Sequence, residues 1–277
     1  MLAAIPLGEL VFFAAALIGA GVVAGLLAGL FGIGGGAILV PVFYQTYGLL
    51  GVDDAVRMHV SIGTSLAIII PTSMRSFWAH YEKGAVDMAL LKAFVLPVLL
   101  GVMIASGVAA SISSAGLRIV FAVIAFAVAF KMLFGRESWI LSSDLPGRVG
   151  TSIAGTLIGL ISALMGIGGG VLNNSFMTLY SRPIRQAIAT SAGVGVLISV
   201  PGMLGYIWAG WGTTGLPPFS SGFVNWLTVA LIIPVTLLTA PYGAKLAHEW
   251  PKRKLEIGFG LFLIFVGCRF LWTLFEL

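Results

Sequence analysis

Charge is what this sequence has least of. Asp, Glu, Lys and Arg together make up 9% of its 277 residues, against about a quarter in soluble domains. No charged residue occurs from Leu10 to Val52, from Ala93 to Leu117, from Val149 to Ser181 or from Gln186 to Ala244. A spanning helix needs about 20 apolar residues, so these gaps require several membrane crossings and exclude a soluble fold. Cysteine is almost absent. The single Cys268 excludes an internal disulfide and reads as a small buried apolar residue. The histidines are too few and too scattered to form a metal-ligand set, and no His–Cys or paired-acid grouping suggests an enzyme. No cofactor or metal is expected. A basic n-region of a signal peptide is also missing, so residues 7–31 read as a retained spanning helix. The net charge of +5 comes from cations at segment ends. That pattern signals topology in a lipid bilayer and excludes nucleic acid as a partner.

The acids that remain are informative by position. Glu9, Asp53, Asp54, Glu82, Asp87, Glu137, Asp144, Glu249, Glu256 and Glu276 all fall near segment ends or in loops. Carriers of cations and proton pumps usually keep an intramembrane carboxylate. Its absence argues against a cationic substrate and a carboxylate proton relay.

Glycine, by contrast, is abundant and patterned. Gly32-Ile33-Gly34-Gly35-Gly36 recurs letter for letter as Gly166-Ile167-Gly168-Gly169-Gly170. Each glycine costs a helix about 0.8–1 kcal/mol against alanine, so each run breaks its segment. A bilayer tolerates such a break only where it is buried in protein or lines a cavity. The pattern predicts helical segments at 7–31, 36–48, 55–78, 86–109, 116–134, 148–165, 170–181, 184–210, 223–246 and 254–275. Those after the glycine runs are short enough to be either half-helices that re-enter or short crossings.

The second set of five segments resembles the first. Gly63-Thr64-Ser65 matches Ala189-Thr190-Ser191, Val86-Asp87 matches Val224-Asn225, and Leu117-Arg118-Ile119 matches Leu255-Glu256-Ile257. If each glycine hairpin returns to its own side, Arg75, Lys83, Lys131, Arg136, Arg148, Arg182, Arg185, Lys245, Lys252, Arg253 and Lys254 share one face. Arg57, Arg118 and Arg269 remain on the other. The positive-inside rule then places both termini on the periplasmic side of a bacterial inner membrane. The expected fold class is an all-α polytopic membrane protein: one transmembrane domain over 1–277, with two inverted repeats of about five helical segments each and glycine-broken helices or hairpins. Repeat 1 covers 1–135 and repeat 2 covers 148–277, joined by a cytoplasmic linker at 136–147. Inverted repeats with broken helices are a frequent device of secondary transporters.

The candidate site follows from the breaks. A helix restarting at Gly34, Gly35 and Gly36, or at Gly168, Gly169 and Gly170, exposes unpaired N–H groups and the positive end of its dipole. Glycine lets an oxyanion approach that backbone, with Gly32 and Gly166 opening the two turns. The other reading is close helix packing of small residues. Thr64, Ser65, Thr190 and Ser191 could donate to an oxyanion or back-bond to their own helices. Ser61 lies one turn before Ser65 on the same face. Asn173 and Asn174 could contact the ligand or bond between helices. Arg57 and Arg75 are candidates to attract anions, with snorkelling to head groups as the alternative. His59 is a candidate for proton coupling or an ordinary hydrogen-bonded histidine.

Gly29-Leu30-Phe31-Gly32-Ile33-Gly34-Gly35-Gly36 with Pro41 beyond it, Gly63-Thr64-Ser65-Leu66, and the repeats at Gly166–Gly170 and Ala189-Thr190-Ser191 resemble the sulfite exporter TauE/SafE family of bacterial membrane permeases. The resemblance covers nearly the whole chain. It implies two homologous halves and movement of a small sulfur-containing anion, such as sulfite, sulfoacetate or another organosulfonate, across the inner membrane by alternating access. The sequence departs from the pattern at Asn173-Asn174-Ser175, where an apolar stretch ending in proline would follow. The alternative functions are an anion channel of the same fold and a non-transporting membrane scaffold subunit. A homodimer is one assembly the sequence leaves open.

Overall fold

Lipid offers no hydrogen-bond partner, so a charge-free stretch in a bilayer satisfies its backbone by folding as a helix. The computed structural model describes residues 7–31, 36–135, 140–249 and 251–275. Ten helices account for most of them: α1 (Leu7–Phe31), α2 (Gly36–Leu49), α3 (Asp54–Tyr81), α4 (Met88–Ser111), α5 (Ser114–Phe134), α6 (Arg148–Met165), α7 (Gly170–Leu179), α8 (Ile184–Ala209), α9 (Trp226–Glu249) and α10 (Lys252–Trp272). Among the described residues, seven stretches are long and apolar enough to cross a membrane, in α3, α4, α5, α6, α8, α9 and α10. The chain is an all-α polytopic membrane protein. Helices α2 and α7, with 14 and 10 residues, reach only about 21 and 15 Å, short of the roughly 30 Å hydrocarbon core.

Every segment expected from the sequence is a helix, with ends shifted by three residues or fewer. The shifts have local causes. Asn225 takes the Thr228 N–H on Oδ1 at 2.9 Å and so caps α9, which starts three residues later than the apolar run suggests. Ahead of it, Ser220–Ser221 pairs antiparallel with Val224–Asn225, a small hairpin that the apolar pattern concealed. At the end of α7, Ser181 adopts a positive φ of 58°. Arg182 N–H then closes on the Met177 carbonyl at 3.0 Å and stops the helix.

Small residues set how the helices pack, because lipid supplies no hydrophobic drive between them. Helix α1 lies along α9, with Gly21 against Ile232 and Val235 and Gly25 against Thr236 and Thr239. Helix α4 lies along α6, with Gly155 against Phe94 and Pro97 and Gly159 against Val98. Within each pair the residue numbers rise together, so the helices run the same way. Helix α3 crosses α8 in the opposite sense: Gly63 meets Tyr206, Gly202 meets Leu66, and Gly195 meets Ser73. Helix α5 runs opposite to α10, with Phe126 on Gly267, Phe121 on Phe270 and Arg118 on Thr273.

One expectation is corrected. Cys268 is exposed. It lies on a stripe of α10 with Leu261, Phe265 and Trp272, each more than half exposed. In a membrane helix the apolar outer face is the one that lipid covers, so apolar character does not imply burial within the protein.

Candidate functional site

The second glycine run is a complete helix–turn–helix break. Helix α6 ends at Gly166, which adopts φ 66° and ψ 31°. Gly166 N–H donates to the Ala163 carbonyl at 3.3 Å and Ile167 N–H to the Ser162 carbonyl at 2.9 Å, the paired bonds of a left-handed glycine cap. Gly169 turns left-handed again, φ 72°, and α7 begins at Gly170. The first helical bond runs from Asn173 N–H to the Gly169 carbonyl at 2.9 Å. Gly169 provides no side-chain cap, so the N–H groups of Gly170, Val171 and Leu172 have no acceptor within their own helix. The turn, residues 166–171, is buried throughout.

In the first run, Gly32, Gly34 and Gly35 lie outside the described residues. Gly36 opens α2 and is fully packed. A Cβ added there would collide with the Gly166 carbonyl oxygen and come within 2.9 Å of Ile167 Cα and of Ile69 Cδ1. The start of α2 therefore abuts the start of the second break, beside Ile69 at the crossing of α3 and α8. Gly168 lies at the same place, beside Ile69, Gly195 and Ser73.

The candidate hydroxyls separate into distinct roles. Ser65 Oγ donates to the Gly166 carbonyl at 2.9 Å, so it belongs to the junction of the two breaks. Thr64 Oγ1 accepts from Asn225 N–H at 3.0 Å, and Thr190 Oγ1 accepts from Asp87 N–H at 2.9 Å. These two contacts mirror each other, since Thr64 corresponds to Thr190 and Asp87 to Asn225. Asp87 caps α4 through Leu90 N–H at 3.0 Å as Asn225 caps α9. Each threonine thus anchors a helix start in the other half of the chain. Thr64→Val, or Thr190→Val, leaves a buried N–H without its acceptor and is expected to cost about 1–3 kcal/mol. Thermal unfolding in detergent should show both losses, with serine at either position restoring most of the midpoint.

Asn173 Nδ2 donates to Ser191 Oγ at 2.7 Å, and Ser191 Oγ donates to Asn174 Oδ1 at 2.7 Å. These three residues tie α7 to α8. Ser61 Oγ back-bonds to the Arg57 carbonyl at 2.7 Å. Arg57 donates from Nε and Nη2 to the Val52 carbonyl and lies 3.5 Å from Asp54. Arg75 is exposed on α3. His59 Nε2 is 3.1 Å from the Ile112 carbonyl, and its ring stacks on Phe223. The hydrogen bonds of Ser61, Arg57 and His59 thus go elsewhere than the glycine junction.

Several residues at or near the junction were not singled out from the sequence. Ser162 Oγ lies 3.6 Å from where a Gly169 Cβ would stand, and Ser73 Oγ lies 3.7 Å from the equivalent point on Gly168. Ser199 shares the α3-facing side of α8 with Gly195 and Gly202, four and three residues away. Ser162 Oγ, Ser199 Oγ and Asn173 Oδ1 are buried and, among the described residues, without a hydrogen-bond partner. Ser162 stands one turn before Gly166 and Ser73 two turns after Ser65, so helical spacing from the junction was the available signal. Among the described residues, none of the close glycine contacts or hydrogen bonds at the turn involves a carboxylate. N–H groups without a helical acceptor, a positive helix end and serine hydroxyls make a setting for an anion.

A second polar cluster lies farther along α2. Tyr44 O–H donates to Asp54 Oδ1 at 2.6 Å, and Arg118 Nη2 donates to Asp54 Oδ2 at 2.7 Å. Arg118 Nη1 also donates to Tyr44 Oη at 2.8 Å and to Thr273 Oγ1 at 3.1 Å. Arg118 is 1% exposed. It is a structural ion pair joining α2, α3, α5 and α10, where the sequence offered only a segment-end cation. Among the described residues no group of three or more His, Cys, Asp or Glu is placed to hold a metal ion.

The family described as Sulfite exporter TauE/SafE matches residues 17–270. A probable membrane transporter protein of Haemophilus influenzae is 32% identical over 247 residues, covering 89% of this chain and 94% of that protein. A probable membrane transporter protein of Methanocaldococcus jannaschii is 26% identical, covering 86% of this chain and 87% of its own length. One from Bacillus subtilis is 26% identical, covering 91% and 95%. No solved structure matches.

Proposed function

The chain belongs to the sulfite exporter TauE/SafE family, and from that premise we propose that it is a secondary carrier for sulfite or a small organosulfonate such as sulfoacetate. The observation that carries the anion reading is the buried start of α7. Three N–H groups without helical acceptors converge there, beside the Ser162 hydroxyl, which among the described residues has no hydrogen-bond partner. A sulfonate or sulfite oxygen accepts hydrogen bonds, which suits the N–H groups and the Ser162 hydroxyl at this helix start. Gly36 and the glycines of the second run, with Ser65, form the close-packed floor of the site. Asn173, Asn174 and Ser191 lie one helical turn deeper and bear on substrate choice.

Alternating access draws support from helix direction. Counting five helices onward pairs α3 with α8 and α5 with α10, and both counterpart pairs run in opposite senses. The same shift exchanges the pair α1/α9 with α6/α4. Both relations fit two inverted repeats around an axis through the glycine junction, the architecture in which one bundle rocks against another. The cation bias supports an inner-membrane orientation with both termini periplasmic.

Proteoliposomes loaded with radiolabelled sulfite or sulfoacetate test the reading. Saturable flux with counterflow is the expected result, and gradient-driven flux without saturation would identify a channel instead. A thermal-shift screen names the anion independently: at a concentration of 100 Kd a ligand stabilises by about 2.7 kcal/mol. Ser162→Ala should lower flux at sub-saturating substrate by about three- to tenfold without loss of fold. If only carboxylate analogues stabilise, the sulfur assignment fails and the anion site stands.

A further inference from the structure

Helices α4 and α6 run the same way and begin at the same membrane face, so corresponding turns lie side by side. Glycines at 155 and 159 bring their backbones together on one flank. On the outer flank the side chains diverge and leave a groove of about 500 Å³, within the range of roughly 300–1,000 Å³ typical of small-molecule sites. Its mouth carries Lys92, in the second turn of α4, with the Ser152 hydroxyl on α6, while Thr156 lines it deeper, beside the Pro97–Gly101 turn. Its floor is apolar, formed by Leu96, Pro97 and Leu100. Leu96 is 78% and Leu100 53% exposed, so the floor opens to lipid. No Asp or Glu lines the groove.

We propose that this groove holds one anionic phospholipid of the leaflet in which α4 and α6 begin. Three features select that occupant. Along α4 the cation comes first and the apolar residues follow, Leu100 lying about 12 Å farther into the membrane than Lys92. A headgroup phosphate pairs with the Lys92 ammonium while the glycerol and upper acyl chain lie on Leu96 and Leu100. Pro97 has no N–H, so the Ala93 carbonyl beneath the mouth loses its helical donor and is left to accept from a headgroup hydroxyl. Arg148 is exposed one turn before Ser152 on the same face of α6 and adds a second cation at the mouth. The site lies on the outer surface between α4 and α6 and is separate from the glycine junction.

Native mass spectrometry on protein extracted from vesicles of equal phosphatidylglycerol and phosphatidylcholine tests the assignment. Each basic residue near a membrane surface favours anionic lipid by about fivefold. The full-length protein should retain phosphatidylglycerol over phosphatidylcholine by at least that factor. Lys92→Gln should lower the ratio by about fivefold, Lys92→Gln with Arg148→Gln should bring it near one, and Ser152→Phe, which fills the groove, should lower retention of both lipids. Lys254→Gln removes an exposed charge elsewhere and should leave the ratio unchanged. Equal retention of the two lipids by the unaltered protein, or an unchanged ratio in Lys92→Gln, overturns the proposal. Displacement of the lipid by millimolar inorganic phosphate also overturns it, since the groove would then be a site for a free anion.

Discussion

Asp54→Ala is expected to destabilise the folded protein by about 3 kcal/mol. Removing one member of a buried ion pair typically costs about 3–5 kcal/mol, because the other charge remains without compensation. Arg118 is 1% exposed, and its strongest bond is the 2.7 Å contact with Asp54. The side chain of Asp54 keeps 26% of its surface exposed, which places the cost at the lower end of the range. Tyr44 loses its acceptor in the same substitution. Arg118→Met should be milder, about 1–2 kcal/mol, since Asp54 retains Tyr44 and Arg57 and still reaches solvent. The double variant should recover part of the loss, because no unpaired charge is left buried. Thermal unfolding in detergent reads all three. If Arg118→Met proves the more damaging, the charge left in the interior is not what holds α2, α3, α5 and α10 together.

The elements were legible because the membrane simplifies the problem. A charge-free run has one option, and glycine marks where it stops, so ten segments were placed to within three residues of their ends. The turn at Gly166–Gly170 followed from composition alone. The roles of the hydroxyls did not. Thr64 and Thr190 are equivalent in the sequence to Ser65 and Ser191 as polar positions in apolar helices, yet they hold the starts of α9 and α4. That distinction depends on contacts made across more than a hundred residues, and no local signal carries it. The Tyr44–Asp54–Arg118 cluster was hidden because Arg118 reaches Asp54 and Tyr44 from 64 and 74 residues away, while Asp54 and Arg118 read as ordinary charges at segment ends. In soluble helices an apolar stripe reveals the buried face. Here both faces are apolar, so Ser162 and Ser199 gave no sign of which side they occupy. The small hairpin before α9 was masked by Phe223 and Val224, two apolar residues that sit inside the fold without being helical.

Gly36→Ala bears most directly on the candidate site, and it is expected to cost about 3 kcal/mol and to reduce flux by at least tenfold. The added Cβ meets the carbonyl oxygen of Gly166 and the Cα of Ile167. Both are backbone atoms, so no side chain can rotate away, and relief requires the two glycine breaks to move apart. Overpacking of this kind typically costs about 1–3 kcal/mol, and the absence of a movable neighbour puts it at the top of that range. Ser65 would lose its 2.9 Å bond to Gly166 as the junction opens. Gly107→Ala is the matched control. It also lies inside a helix, and a Cβ there meets nothing within 4 Å. Alanine should gain about 0.5–1 kcal/mol at that position through lower unfolded-state entropy. A Cβ on Gly166 meets Val40 and Ile62 at a left-handed φ of 66°; because Gly36 and Gly166 adjoin, the two costs should combine non-additively by at least 0.5 kcal/mol, about the threshold for coupled neighbours. Unfolding midpoints and flux in the same proteoliposome preparation separate packing from binding. A Gly36→Ala protein as stable and active as Gly107→Ala would mean that the two glycine runs do not meet, and the shared anion site would fall with that contact.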